Sequence, residues 1–140
     1  MDYSIYPMSI AHYTQAIKLW QSLPGMGLSG ADSKDHITEF LRKNPTTCFI
    51  AQKGDRLVGT ILGGSDSRRG YIYHLAVDNS EQGEGIGKKL VDTCLAQFNK
   101  NGIQKCHILV ISDNKNGIAF WEHIGWHTRE DVMLMSKEII

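Results

Sequence analysis

Residues 71–95, YIYHLAVDNSEQGEGIGKKLVDTCL, decide the fold. The first seven, YIYHLAV, are a dense run of β-formers and read as a strand. The stretch closes on Leu90, Val91, Cys94 and Leu95, which with Phe98 stripe a helix ending near Asn101-Gly102. Between strand and helix, Gly83, Gly85 and Gly87 stand at every second position. Glycine lets main chain come close to a ligand, at an entropic cost. At a helix start the usual reason to accept that cost is an anion, because unpaired N–H groups and the macrodipole both favour negative charge there. Strand, loop and helix in this order predict a parallel, right-handed crossover. The loop then lies at the strand's carboxyl end, where open α/β sheets bind ligands.

On either side of this unit the chain keeps alternating. YSIYP (3–7) reads as a first strand closed by Pro7, and Ser9 as the cap of a helix with Ile10, Tyr13, Ile17 and Trp20 on one face. SLPGMGLSGADS (22–33) is too long for a plain turn, and such loops are often functional. Ser33 caps a second helix bearing Ile37, Phe40 and Leu41, stopped before Asn44-Pro45. Residues 47–65 read as a hairpin turning at Gly54-Asp55. KCHILVI (105–111) predicts another strand, GIAFWEHIG (117–125) a short helix and VMLMSKEI (132–139) a last strand. The expected fold class is α/β, a mixed sheet with helices on its faces in the order β-α-α-β-β-β-α-β-α-β, as one domain over residues 1–140.

Composition sets the context. Of 140 residues 41% are hydrophobic and 21% charged, ordinary for a globular protein in water. Lys plus Arg equals Asp plus Glu at 15 each, so nothing global favours nucleic acid or an anionic membrane. MDYSIYPMSIAHY lacks the basic and then apolar pattern of a signal peptide, and no stretch approaches the ~18 apolar residues that span a bilayer. Cys48, Cys94 and Cys106 are odd in number and set in apolar patterns, which predicts buried thiols in a reducing, cytoplasmic setting. Among the histidines, His123 and His127 are separated by Gly125 and a helix end, and Cys106 and His107 point opposite ways on a strand; no metal site is expected.

Known phosphate loops test the glycines. A Walker A loop would need glycine at Gln82 and a hydroxyl at Lys89, so two fixed positions fail. A dinucleotide fingerprint would need a third glycine at Lys88 and a place in the first βαβ unit, and has neither. What fits is Gln/Arg-x-x-Gly-x-Gly/Ala, occupied by Gln82, Gly85 and Gly87 between a strand and a helix. This resembles motif A of the GNAT superfamily, the acyl-CoA-dependent N-acetyltransferases. NKNGIAFWEHIGW (114–126) is similar to the same family's motif B, through Asn114, Gly117, Trp121, Gly125 and Trp126. The element order is also the family's, and the chain looks closest to its small bacterial members.

The resemblance implies an acetyl-CoA cosubstrate, a splayed central parallel strand pair and transfer of acetyl to a primary amine within a ternary complex. Main-chain N–H groups of Gln82, Gly83, Glu84, Gly85, Ile86 and Gly87, with Lys88 nearby, would hold the pyrophosphate. The pantetheine would run along Leu75, Ala76 and Val77 and meet Asn114, Gly117, Phe120 and Trp121; for Trp126 plain packing is the preferred reading. The Val77 N–H would polarise the thioester. Trp121 stands where many members place a tyrosine that protonates the departing thiolate, and the family's carboxylate or histidine base matches Tyr71 or Tyr73. Tyr73 and His74 are therefore the catalytic candidates. His74 has the better chemistry but the wrong face by strand alternation, unless a bulge re-aims it. Water relays to Asp32 or Asp66 stay open, and so does an acidic acceptor facing Arg68 and Arg69. Partners are a small-molecule or peptide amine, with no nucleic acid or membrane and with a homodimer compatible. The missing tyrosine and carboxylate also fit a catalytically silent acyl-CoA-binding sensor.

Overall fold

The structure, a computed structural model, describes residues 2–140. These residues carry a five-stranded sheet in the order β1 (Ser4–Pro7), β2 (Cys48–Lys53), β3 (Arg56–Ser65), β4 (Gly70–Val77), β5 (Cys106–Ile108). Neighbours pair antiparallel up to β4, and β4–β5 is parallel. The helices are α1 (Tyr13–Ser22), α2 (Lys34–Lys43), α3 (Ile86–Lys100) and α4 (Lys115–His123). Backbone contacts divide the chain into a unit ending at Leu109 and a unit from Val110 to Ile140.

In the first unit β3 is the spine. Its residues from Leu57 to Gly64 are all buried, because helices cover both faces. On one face Leu62 joins Ala16, Leu19 and Trp20 of α1 and Ile37 of α2. On the other, α3 sits so close that two positions of β3, Gly59 and Gly63, have no room for a side chain. A Cβ on Gly63 would lie 2.6 Å from Cys94 Sγ, and one on Gly59 3.1 Å from Leu90 Cδ1. Ser33 caps α2 as its sequence predicts, its Oγ accepting from the His36 N–H at 3.2 Å. Ser9 caps a short 3-10 turn, Ile10–His12, and α1 proper begins at Tyr13.

Two features matter for the site. The β4–β5 ladder runs only from Gly70↔Cys106 to Ile72↔Ile108, while β4 continues to Val77. The expected splay is present. The β3–β4 register slips between Thr60 and Leu62, which pair with Ala76 and Tyr73 respectively. One extra residue is thereby accommodated in β4 at His74-Leu75.

The second unit holds α4 and an irregular remainder. Here the sequence expectation is corrected: residues 132–139 form no strand, and Val132, Met133, Leu134 and Met135 are exposed. A run of β-forming residues makes a strand only where a ladder receives it, and among the described residues none pairs with this segment. KCHILVI is likewise regular only over Cys106–Ile108.

Candidate active site

The loop between β4 and α3 has two halves. The first is anchored. Asp78 Oδ1 accepts from Ser80 N at 2.9 Å and Ser80 Oγ at 2.7 Å, and the Glu81 N–H reaches Asp78 O at 2.8 Å. Glu81 is buried and takes Lys53 Nζ at 3.0 Å and Arg56 Nη2 at 2.6 Å, both from the β2–β3 hairpin. Those hydrogen bonds, Lys53 first, hold its carboxyl below the usual carboxylate range. Gln82 Nε2 ties back to Val77 O and Asn79 Oδ1, each at 3.1 Å.

The second half is open. Gly83 and Gly85 have φ of +86° and +82°, and an added Cβ on either meets nothing within 4 Å. Gly85 starts α3 without a side-chain cap, and no acidic residue lies in the first turn. Helical bonding begins with Lys89 N to Gly85 O at 3.0 Å. From Gln82 to Lys88, no main-chain N–H has a hydrogen-bond partner among the described residues. So many solvated donors ahead of a helix make a cradle for an anion. The Lys88 ammonium pairs with Asp92 at 2.7 Å, one turn along α3.

The β4 bulge re-aims His74. Its φ is +47°, a left-handed value costly outside glycine. A buried chain of hydrogen bonds holds it there. Trp20 Nε1 donates to Thr60 Oγ1 at 2.9 Å, and Thr60 Oγ1 donates to His74 O at 2.8 Å. The imidazole thus lies on the α1–α2 side, its centroid 4.6 Å from that of Trp20, with Nε2 2.6 Å from Asp32 Oδ1. Asp32 is fixed in turn. Its Oδ2 accepts from Ser29 N at 3.0 Å, and its main-chain carbonyl accepts from Tyr13 Oη at 2.7 Å. The long glycine-bearing loop therefore delivers a carboxylate to a histidine 42 residues away in the chain. Both side chains are only slightly exposed, His74 at 15% and Asp32 at 11%.

Tyr73 lies on the same side, edge-on to Phe40 of α2. Burial raises its phenol pKa, so it stays protonated at neutral pH and is unavailable as a base. Asp66 sits in the β3–β4 turn, accepting from the N–H groups of Arg68 and Arg69 at 2.9 Å each and pairing with the Arg68 guanidinium. Its carboxylate is committed to the turn, and Arg68 with it. The Val77 N–H follows from ladder alternation. Asp78 N donates to Val58 O of β3 at 2.8 Å, so the preceding N–H points to the other edge, beyond the end of the β5 ladder. Leu75, Ala76 and Val77 all lie on that unpaired length of β4.

In the second unit Asn114 caps α4. Its Oδ1 accepts from Gly117 N at 3.0 Å, and Nδ2 has no partner among the described residues. A Cβ on Gly117 would lie 2.6 Å from Asn114 Nδ2, so a larger residue there would displace the capping amide. The helix stops in a Schellman motif: Gly125 N donates to Glu122 O at 3.1 Å and Trp126 N to Trp121 O at 2.9 Å, with Gly125 at φ +103°. The Trp121 ring packs 4.7 Å from Trp126 and 5.3 Å from Phe120. Packing is thus the role the geometry gives Trp126.

Sequence reasoning had His74 and the glycine loop in hand but missed Asp32 as the partner of His74, and Trp20 and Thr60 as the lock on the bulge. Asp32 had one local signal, the Ser29-x-x-Asp32 spacing of a capping box, which marks a fixed rather than floppy loop. The thiols carry no comparable chemistry. Burial pushes Cys48 up to about 11 and Cys106 up to about 12, and raises Cys94 further. Among the described residues no cluster of three or more His, Cys, Asp or Glu could hold a metal, and no helix is long and apolar enough to cross a membrane.

Comparison with known proteins follows the same lines. Acetyltransferase SG1711 of Sodalis glossinidius is 28% identical over 109 residues, covering 78% of this chain and 77% of its own. Acetyltransferase YE1169 of Yersinia enterocolitica matches to the same extent, 28% over 109 residues, with 78% and 77% covered. Among solved structures, an aminoglycoside acetyltransferase from an uncultured soil metagenomic sample superposes with a TM-score of 0.81 at 21% identity, covering 99% of this chain and 97% of that one. An N-acetyltransferase of Thermoplasma acidophilum in complex with coenzyme A gives 0.81 at 18% identity, with 92% of each chain covered. The pattern of the acetyltransferase (GNAT) family matches residues 14–126, so the chain belongs to that family.

Proposed function

We propose that this protein is an acetyl-CoA-dependent N-acetyltransferase acting on a primary amine by direct transfer in a ternary complex. The observation that carries the reading is the conjunction on one strand: a buried His74–Asp32 pair at the bulge, an outward Val77 N–H a few residues on, and unpaired loop donors beyond. The family match spans parts of both units, which supports treating residues 1–140 as one domain.

Acetyl-CoA, when bound, supplies an acyl group activated as a thioester. The residues present fit it. The N–H groups of Gln82 through Gly87 suit a pyrophosphate, Leu75 to Val77 offer an unpaired strand edge to the pantetheine amides, and Asn114 keeps Nδ2 as a donor. Within the second unit, Gly117, Phe120 and Trp121 are carried as cofactor contacts by the family resemblance alone.

His74 takes the proton. With Nε2–H donated to Asp32, the ring presents Nδ1 as its basic nitrogen, and Asp32 stabilises the imidazolium that forms. The Val77 N–H meets the charge that develops on the carbonyl oxygen under attack. The thiolate needs no strong acid to leave, since it is a weak base whose conjugate thiol has a pKa of about 8.5. Tyr73, in this reading, lines the acceptor site and transfers no proton.

Titration calorimetry with acetyl-CoA, together with thiol release from an amine panel, tests the proposal. His74→Gln should bind acetyl-CoA like the parent and lose about 10²–10⁴-fold in turnover, the usual worth of a general base. Absence of acetyl-CoA binding at millimolar concentration would sink the assignment. Binding without turnover on any amine would favour the silent sensor.

A further inference from the structure

We infer that the α1–α2 side of β4 next to His74 is an aromatic, uncharged acceptor wall that selects a primary amine on a flat apolar body over a polycationic amine; this rests on the function proposed above. Tyr73 carries the inference. It precedes His74 and lies on the same side, with its ring edge-on to Phe40, centroids 6.0 Å apart and planes at 87°. Such a T-shaped contact uses the edge of one ring and the face of the other, and leaves further ring surface open. Tyr73 is 40% exposed, beside a histidine that is nearly enclosed. Ordinary sheet packing explains its neighbour better than it explains Tyr73. Tyr71 packs tilted against His107, centroids 5.6 Å apart and its register partner across β4–β5, as cross-strand pairs do. Tyr73 stands opposite Leu62, which is buried and not aromatic, and its ring contact is with Phe40 of α2 rather than across the sheet.

The surrounding charge points the same way. Three carboxylates on the adjoining elements are committed elsewhere, while Asp35 lies in the exposed first turn of α2. Asp32 holds His74 and the Ser29 N–H, Glu39 pairs with Arg42, and Asp66 serves its turn. A polyamine or aminosugar brings several ammonium groups, and each one set against an uncharged wall loses hydration without gaining a partner. A flat apolar body loses nothing of that kind and gains by covering the open Tyr73 ring. The same wall favours the neutral form of the attacking amine, which is the form that reacts.

The test compares 2-phenylethylamine and tryptamine with spermidine and kanamycin as acceptors, by thiol release at saturating acetyl-CoA. Arylalkylamines should exceed the polycations at least tenfold in kcat/KM. Tyr73→Ala should raise the acceptor KM at least fivefold without moving the acetyl-CoA KM, and Tyr73→Phe should lie closer to the parent than Tyr73→Ala. Preference for the polycations, no turnover on any of the four, or equal losses in the two Tyr73 variants each overturns the wall. Acetyl-CoA calorimetry on the same samples separates the two proposals: lost cofactor binding removes the enzyme assignment itself, whereas binding with the wrong acceptor order removes only the wall.

Discussion

The start of α3 and the end of α4 turn on the same device and use it in opposite ways. Gly85 and Gly125 both sit at left-handed φ, +82° and +103°, and neither has an atom within 4 Å of where a Cβ would stand. At Gly125 the turn closes hydrogen bonds: the N–H groups of Gly125 and Trp126 satisfy two carbonyls of the last turn, and Trp126 covers Trp121. At Gly85 it opens them, leaving the N–H groups around it unpaired. A left-handed glycine is therefore not itself a functional mark. Where the freed donors go tells structure from site.

Substituting the two glycines should break the comparison if it is wrong. Both variants are strained, since any side chain there meets the left-handed penalty of about 1–2 kcal/mol. Gly85→Glu should in addition place a carboxylate among the donors and weaken acetyl-CoA at least a hundredfold, about 2.7 kcal/mol of binding. Gly125→Ala should lose about 1–2 kcal/mol of stability and shift acetyl-CoA affinity by less than threefold. Calorimetry and thermal melts on both proteins check this. Equal affinity losses would mean that the α4 stop is also part of the cofactor site.

This contrast was half legible in the sequence. Each glycine advertises its own turn, because turn chemistry is local, and the Gly125-Trp126 ending of an apolar helix is a local pattern too. The hairpin at Gly54-Asp55, the cap at Ser33 and the helix after the glycine loop are equally local, and all three form. What alternation could not give is the face of His74. That depends on a one-residue mismatch between two strands and on Thr60 and Trp20, which lie 14 and 54 positions before His74 in the chain. Asp32 reaches His74 only through the closure of a loop whose path no local rule predicts. The missing last strand errs in the other direction. VMLMSKEI has the pattern of a strand, but pattern alone does not provide a neighbour.

The anchored half of the loop sharpens the comparison further. If Glu81 holds the loop so that its second half can stay unpaired, Glu81→Gln should raise the acetyl-CoA KM several-fold and leave kcat nearly unmoved. The pH dependence has a definite sign. Lys53 and Arg56 lower the folded-state pKa of Glu81, so its stabilising contribution is complete above the ordinary carboxylate pKa. It is then lost as pH falls through the lower, folded value. Acid unfolding followed by circular dichroism should therefore be shallower in Glu81→Gln than in the parent, with the difference confined to the acidic limb. An unchanged acid limb would show that the two cations do not act through this carboxylate.

The smallest effect is expected at Trp121, in the closed half of the comparison. Its ring lies between Phe120 and Trp126, and its indole N–H has no hydrogen-bond partner among the described residues. Trp121→Phe keeps an aromatic contact to Trp126 and removes an N–H that binds nothing in the protein, so it should cost less than about 1.5 kcal/mol and lower turnover less than threefold. Trp121→Ala removes both ring contacts. Because Trp121 is only partly buried, the cost should fall below the roughly 3–5 kcal/mol of a fully buried tryptophan. Trp121→Tyr asks the chemical question, since it restores a hydroxyl where many relatives protonate the leaving thiolate. If protonation limits the rate, this variant should gain turnover at high pH, where solvent protonation is slowest; if acetyl transfer or release limits, its pH profile should overlay that of Trp121→Phe. A loss in Trp121→Phe as large as in Trp121→Ala would give the indole N–H a catalytic or positioning role.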